Sequence, residues 1–172
     1  MHVDVLDANE AAAAVPRLAE ILIDAVASGA GVSFLHPLST EDAEQFWRDQ
    51  RVAVDQKKTF ILTCKNDRDQ IMGVVMLHKV WPPNQPHRGE VAKLLVHRDF
   101  RRQGIGSALM HNLELLAKNI GLKLINFDAV AGGEPDKLYR ALGYKVVGTI
   151  AGYAYSNTDD RLDDAVFFYK QL

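Results

Sequence analysis

Only one cysteine, Cys64, occurs in this chain of 172 residues, so no internal disulfide forms and no pair exists for a CxxC metal or redox site. Long apolar runs are missing too. None approaches the roughly 18 residues of a membrane-crossing helix, and the opening Met1–Asp7 has no basic stretch ahead of an apolar core of the kind an export signal needs. Neither sign of charge dominates: 20 Lys and Arg stand against 22 Asp and Glu, a formal net charge of −2. No global field therefore draws the chain to nucleic acid or to an anionic membrane. Repeats, low-complexity tracts and linkers are also absent. Together these absences lead us to expect an unexported, cytoplasmic protein whose partner is small or local. With 48% hydrophobic residues the chain can fill one well-buried core, and residues 1–172 are expected to form one domain.

What is present alternates between the two secondary-structure periods. Residues 2–7 alternate as a short strand. Asn9 offers an N-cap, and Leu18, Ile21, Leu22, Ala25 and Val26 recur at helical spacing up to Ser28-Gly29. Pro16 suits a first turn and not an interior, so Ala11–Val15 is expected to be a bent lead-in. Ser39 and Asp42 predict a capped helix carrying Ala43, Phe46, Trp47 and Val54 on one face and ending near Lys57-Lys58. Thr59–Lys65 and Gln70–Lys79 read as a hairpin about Asn66–Asp69. Three prolines between Trp81 and Pro86 make a loop. Leu122–Ala129 is a strand, Pro135–Leu142 a short helix, and residues 144–155 and 164–171 a closing hairpin about Asn157–Asp160. The order β-α-α-β-β-β-α-β-α-β-β predicts an α/β or α+β mixed-sheet fold.

The stretch from Val91 to Met110 is the most informative. Leu94, Leu95 and Val96 form an apolar run of strand length, and from Gly104 onward the period becomes helical, with Gly121 placed to end that helix. At the junction, Gly104 and Gly106 remove side chains where several N–H groups point outward, and Arg101 and Arg102 add positive charge. That combination suits an anion, and a diphosphate in particular.

The spacing Arg101-x-x-Gly104-x-Gly106, with the later Leu138-Tyr139-x-x-Leu142-Gly143-Tyr144, resembles the acetyl-CoA signature and late block of the GNAT N-acetyltransferase superfamily. The resemblance implies a mostly antiparallel sheet of about seven strands, splayed between the fourth and fifth, with four helices. It also implies acetyl-CoA as co-substrate, held by Leu94, Leu95, Val96, Arg101, Arg102, Gln103, Gly104, Ile105, Gly106 and Ser107. Glu90-Val-x-Lys-Leu, Asp128-x-x-Ala-Gly132, Tyr139, Gly152-Tyr153 and Asp160-Arg161-Leu162 are similar to the tabtoxin-resistance group within that superfamily. By that likeness Glu90 and Asp128 deprotonate an acceptor amine and Tyr139 protonates the leaving sulfur. Phe34, Trp47, Tyr153 and Arg161 line the acceptor pocket, and a homodimer is possible. Many relatives carry Asn where this chain has Gly132, so one coenzyme contact is expected to be missing or made by backbone.

The implied acceptor is a small amine, amino-acid-like or an antimetabolite; a peptide amine, or coenzyme A binding without turnover, are the alternatives. The loop Gly29–Pro37 is a candidate acceptor lid. His78, His87, His97 and His111 lack zinc-ligand spacing with Cys or carboxylate, so no metal is expected and these histidines are read as free or on the surface. Cys64 reads as core.

Overall fold

A computed structural model describes all 172 residues. The chain runs β1 (His2–Val5), α1 (Ala8–Ala27), α2 (Thr40–Asp49), α3 (Arg51–Asp55), β2 (Thr59–Lys65), β3 (Ile71–Lys79), β4 (Arg88–Val96), α4 (Ile105–Asn119), β5 (Leu124–Val130), α5 (Glu134–Ala141), β6 (Lys145–Tyr155) and β7 (Leu162–Gln171). The expected order holds, with the second expected helix broken at Gln50 into α2 and α3. The strands form one seven-stranded sheet in the order β1-β2-β3-β4-β5-β7-β6. Every neighbouring pair is antiparallel except β4 and β5, which run parallel. No helix is long and apolar enough to cross a membrane.

Two local expectations are corrected. The N-cap of α1 is Asp7 and not Asn9: its carboxylate accepts from the backbone N–H of Asn9 and Glu10, and the Glu10 carboxylate accepts from the N–H of Asp7. That reciprocal pair is a capping box. Pro16 lies inside an unbroken 20-residue helix instead of ending a lead-in. An interior proline costs about 3 kcal/mol. Val15, Leu18, Ile21, Leu22 and Val26 are all buried along the same helix, each contributing about 1.5–3 kcal/mol, so packing overrides the local penalty.

Alternation along the strands divides the core between the two sheet faces. On one face, Ile61, Val74, Met76 and Leu95 pack with the apolar stripe of α1, Ala43 and Trp47. On the other, Leu62, Val75, Leu77, Val91, Ile125, Phe127 and Phe168 pack with Ile105, Leu109 and Leu113 of α4 and with Tyr139 of α5. Cys64 is fully buried in this second cluster, as expected, and burial raises its thiol pKa.

A cleft between β4 and β5

Only three residue pairs join β4 to β5: Arg88 with Leu124, Gly89 with Ile125, and Glu90 with Asn126. Beyond them the strands part. Arg88 staples the last pair, its Nη1 donating to Glu90 Oε1 at 2.7 Å and to Asn126 Oδ1 at 2.7 Å. From Val91 and Phe127 onward, neither strand has a partner across the opening, so backbone groups there lack their usual ladder.

The two faces of this opening carry different chemistry, and alternation assigns each residue. Val91 and Phe127 belong to the α4 face, so Glu90 and Asp128 point to the α1/α2 face. His78 pairs directly with Glu90 and shares that face. It is half-buried, with Nδ1 2.8 Å from Thr59 Oγ1, and burial lowers its pKa. The expectation of free or surface histidines is therefore corrected for His78. Tyr139 lies on the opposite face, 6% exposed, with its ring 4.4 Å from that of Phe127. Burial, assisted by Asp128, pushes its phenol pKa far above the usual value, so the hydroxyl stays protonated at neutral pH.

Both carboxylates are exposed and differ in their partners. The Glu90 side chain is 48% exposed and paired with Arg88 at 2.7 Å. Asp128 makes no ion pair within the salt-bridge distance; desolvation raises its carboxyl pKa, its own N–H and Lys93 lower it, and the charge of Glu90 raises it.

At the mouth of the cleft, Arg102 and Gly104 take positive φ of 65° and 78°. Gly104 caps α4 without any side-chain hydrogen bond. The first helical bond is donated by Ala108 to Gly104 O, and no acceptor serves the N–H groups of Arg102, Gln103, Gly104, Ile105, Gly106 or Ser107. Leu94 and Val96 pack against the core on the same face as α4, while Leu95 is 3% exposed on the other. The arginines next to this turn are less free than their spacing implies. Arg101 donates to Val96 O, to Ser28 Oγ and to Asp24 Oδ2 at 3.2 Å. Asp24 also accepts from the Arg98 guanidinium and from its backbone N–H. Arg102, in turn, pairs with Glu134 at 2.8 Å.

Burial of Asp24 on α1 would raise its carboxyl pKa, yet the Arg98 hydrogen bonds hold it below the usual value. Asp24→Asn is expected to lose about 1–3 kcal/mol of stability in denaturant unfolding, less than for a fully buried pair because both arginines are partly exposed. Because the folded value is the lower one, this stabilisation is complete above ~4 and disappears as pH falls through the folded value.

Around the α1/α2 face, Phe34 from the 29–38 loop meets Phe46 of α2 edge-on at 5.3 Å. Trp47 meets Phe46 edge-on at 5.0 Å, but at 2% exposure it is a core residue and offers no surface to an acceptor, which corrects its expected place in the pocket lining. Tyr153 is 49% exposed and packs edge-on against Phe167, the register partner of Asp128. Arg161 is tied to Asp159 and Asp163 within the β6–β7 hairpin. The hairpin turn reaches the 29–38 loop, where the Asn157 amide donates to Ala30 O.

The mixed sheet opened at its single parallel pair, with unpaired amides at the head of α4, belongs to a fold shared with solved N-acetyltransferase structures. Residues 23–144 match the profile of the Acetyltransferase (GNAT) family, and the chain belongs to that family. The probable N-acetyltransferase 14 of Xenopus tropicalis is 31% identical over 98 residues, which are 56% of this chain and 45% of that protein. This chain thus spans under half of that relative. The ribosomal-protein-alanine N-acetyltransferase of Brucella melitensis has the same fold, with TM-score 0.80 over 100% of both chains at 20% identity. A putative acetyltransferase of Salmonella typhimurium, solved with its cofactor acetyl-CoA, aligns with TM-score 0.79 over 100% of this chain and 94% of its own at 17% identity.

Proposed function

We propose that this chain is an N-acetyltransferase that moves an acetyl group from acetyl-CoA to the primary amine of a small, amino-acid-like molecule by direct attack in a ternary complex. A role in resistance to an antimetabolite of that kind, as in the tabtoxin-resistance group, goes with this reading, as does a single domain over 1–172. One observation carries it: the two carboxylates and the buried phenol stand on opposite faces of the β4/β5 opening. Amine transfer needs that separation, because a proton leaves the nucleophile on one side and another reaches the leaving group on the other.

The acyl carrier fits the turn before α4. Six amide N–H groups without acceptors and a glycine where a Cβ would fill the space suit a diphosphate. When bound, acetyl-CoA supplies a thioester carbonyl open to attack by a neutral amine. Asp128 takes the proton from the incoming ammonium, its raised carboxyl pKa making it a better base than an ordinary aspartate. Glu90, fixed by Arg88, adds negative charge that attracts the ammonium. As the nitrogen bonds to the carbonyl carbon and the C–S bond breaks, Tyr139 gives its proton to the departing sulfur; the proton shed by the nitrogen on becoming an amide passes to solvent, from which Tyr139 is reprotonated.

The pH–rate profile of acetyl transfer, followed by thiol release over an amine panel, tests the base. The wild type is expected to lose activity as pH falls through the raised Asp128 value. Asp128→Asn should lower kcat by about 10²-fold and abolish that acid limb. Glu90→Gln should keep the limb and move it to lower pH, since the Glu90 charge raises Asp128. A limb that survives in Asp128→Asn and vanishes in Glu90→Gln would exchange the two roles.

A further inference from the structure

Lys93 sits where β4 departs from regular pairing. Val74 pairs with Leu95 and Met76 with Ala92, so β3 advances two residues while β4 advances three. The extra residue makes a bulge, and Lys93 there takes a left-handed φ of 52°. Such a conformation is uncommon for a residue with a side chain and is a strained one. It turns the lysine onto the acceptor face, away from the α4 face on which Leu94 and Val96 lie.

Lys93 Nζ stands over the Phe34 ring at 5.5 Å and the Phe46 ring at 5.3 Å. It donates no hydrogen bond, and no carboxylate lies within the 4.0 Å that defines an ion pair. Desolvation lowers its pKa, opposed by the charge of Asp128 across the cleft. The aromatic faces offset only part of the penalty of withdrawing an ammonium from water. Two strained or costly features therefore coincide in one residue beside the reaction centre. A cation held in this way on the acceptor face also repels a purely cationic amine, so it conflicts with the chemistry of Glu90 and Asp128 unless the acceptor brings an anion of its own.

We propose that Lys93 is a specificity residue that binds a carboxylate of the acceptor, so that the substrate class is a zwitterionic amino acid. Its ammonium lies toward Asp128 and Glu90, and its carboxylate toward Lys93. This assignment rests on the acetyltransferase reading. Free amino acids and the terminal residues of peptides offer the same carboxylate chemistry, and acceptor length separates them.

The test compares kcat/KM, by thiol release from acetyl-CoA, for a set of free amino acids, their α-amides, the corresponding decarboxylated amines, and dipeptides. The wild type is expected to prefer the free acid over its amide and amine by about 10- to 100-fold, the worth of one charge-assisted hydrogen bond. Lys93→Met should erase that preference, and Lys93→Arg, which keeps the charge, should retain most of it. Calorimetric binding of coenzyme A to each variant reports that the fold is intact. Preference for dipeptides carrying a carboxylate, lost in Lys93→Met, also supports the role and assigns the source to peptides. Equal use of acids, amides and amines by the wild type overturns the assignment to Lys93 and leaves the acetyltransferase reading standing. So does an equal loss on every acceptor in Lys93→Met and Lys93→Arg alike, which would make the lysine a base. No transfer to any amine overturns the acetyltransferase reading and this proposal with it.

Discussion

Tyr139→Phe is expected to lower kcat by about 10²- to 10³-fold while coenzyme A binding stays within about twofold of the parent. The ring makes the packing contacts: it meets Phe127 at 4.4 Å, Phe168 at 5.5 Å and Tyr144 at 6.0 Å. Phenylalanine keeps all of them, and the hydroxyl makes no hydrogen bond within the protein that its loss would orphan. A purely structural tyrosine therefore predicts no change in rate. The acid role predicts a loss confined to kcat, smallest for thioesters whose thiol is a better leaving group. Single-turnover kinetics with such a series separates the two.

The second large effect lies in the turn before α4. Gly104→Val is expected to weaken acetyl-CoA binding by about 10²-fold, equivalent to two hydrogen bonds to a charged group. Nothing lies within 4 Å of a Cβ built on Gly104, so the requirement is conformational: φ is +78°, where a β-branched side chain is strained. Relief of that strain rotates the peptide and swings the neighbouring N–H groups off their common focus. Gly106 has a different reason to be small, because its Cβ would meet Leu138 Cδ2 at 3.2 Å. That neighbour is a flexible side chain, so Gly106→Ala should cost less than tenfold. Titration calorimetry with coenzyme A and with its dephosphorylated fragments checks both. Unchanged affinity in Gly104→Val would remove the turn from the binding site.

Much of the architecture was legible because period and punctuation agreed. The strand–turn–helix about Gly104, the Asn66–Asp69 turn and the Pro135 helix start each combine a change of hydrophobic period with a turn or start signal: a permissive glycine, a cluster of Asn and Asp, and a proline. Asp7 with Glu10 three residues later was an equally readable capping box, overshadowed by the nearer Asn9. Pro16 misled because a local rule was applied to a helix whose stability is tertiary. Phe46 and Trp47 are adjacent and aromatic, and only the helix's docking angle decides which of them faces the cleft. The bulge at Lys93 left no trace, since Ala92-Lys93-Leu94-Leu95 gives no alternation from which a register slip is read. Nor does sequence reveal that Arg101 is engaged by Asp24, 77 positions earlier.

That engagement has an electrostatic consequence. Asp24 is shared by Arg98 and Arg101 and cancels one of their two charges, while Glu134 offsets Arg102, so the turn meets an incoming polyanion with peptide dipoles and a small residual positive charge. Dipoles act over a few ångströms and are little altered by dissolved ions, whereas unpaired cations attract over a Debye length of about 8–10 Å and fade as salt is added. A turn of this kind is expected to select an anion mainly by shape at contact and to add only a modest long-range pull, so that binding there depends weakly on ionic strength and discriminates against polyanions of the wrong outline.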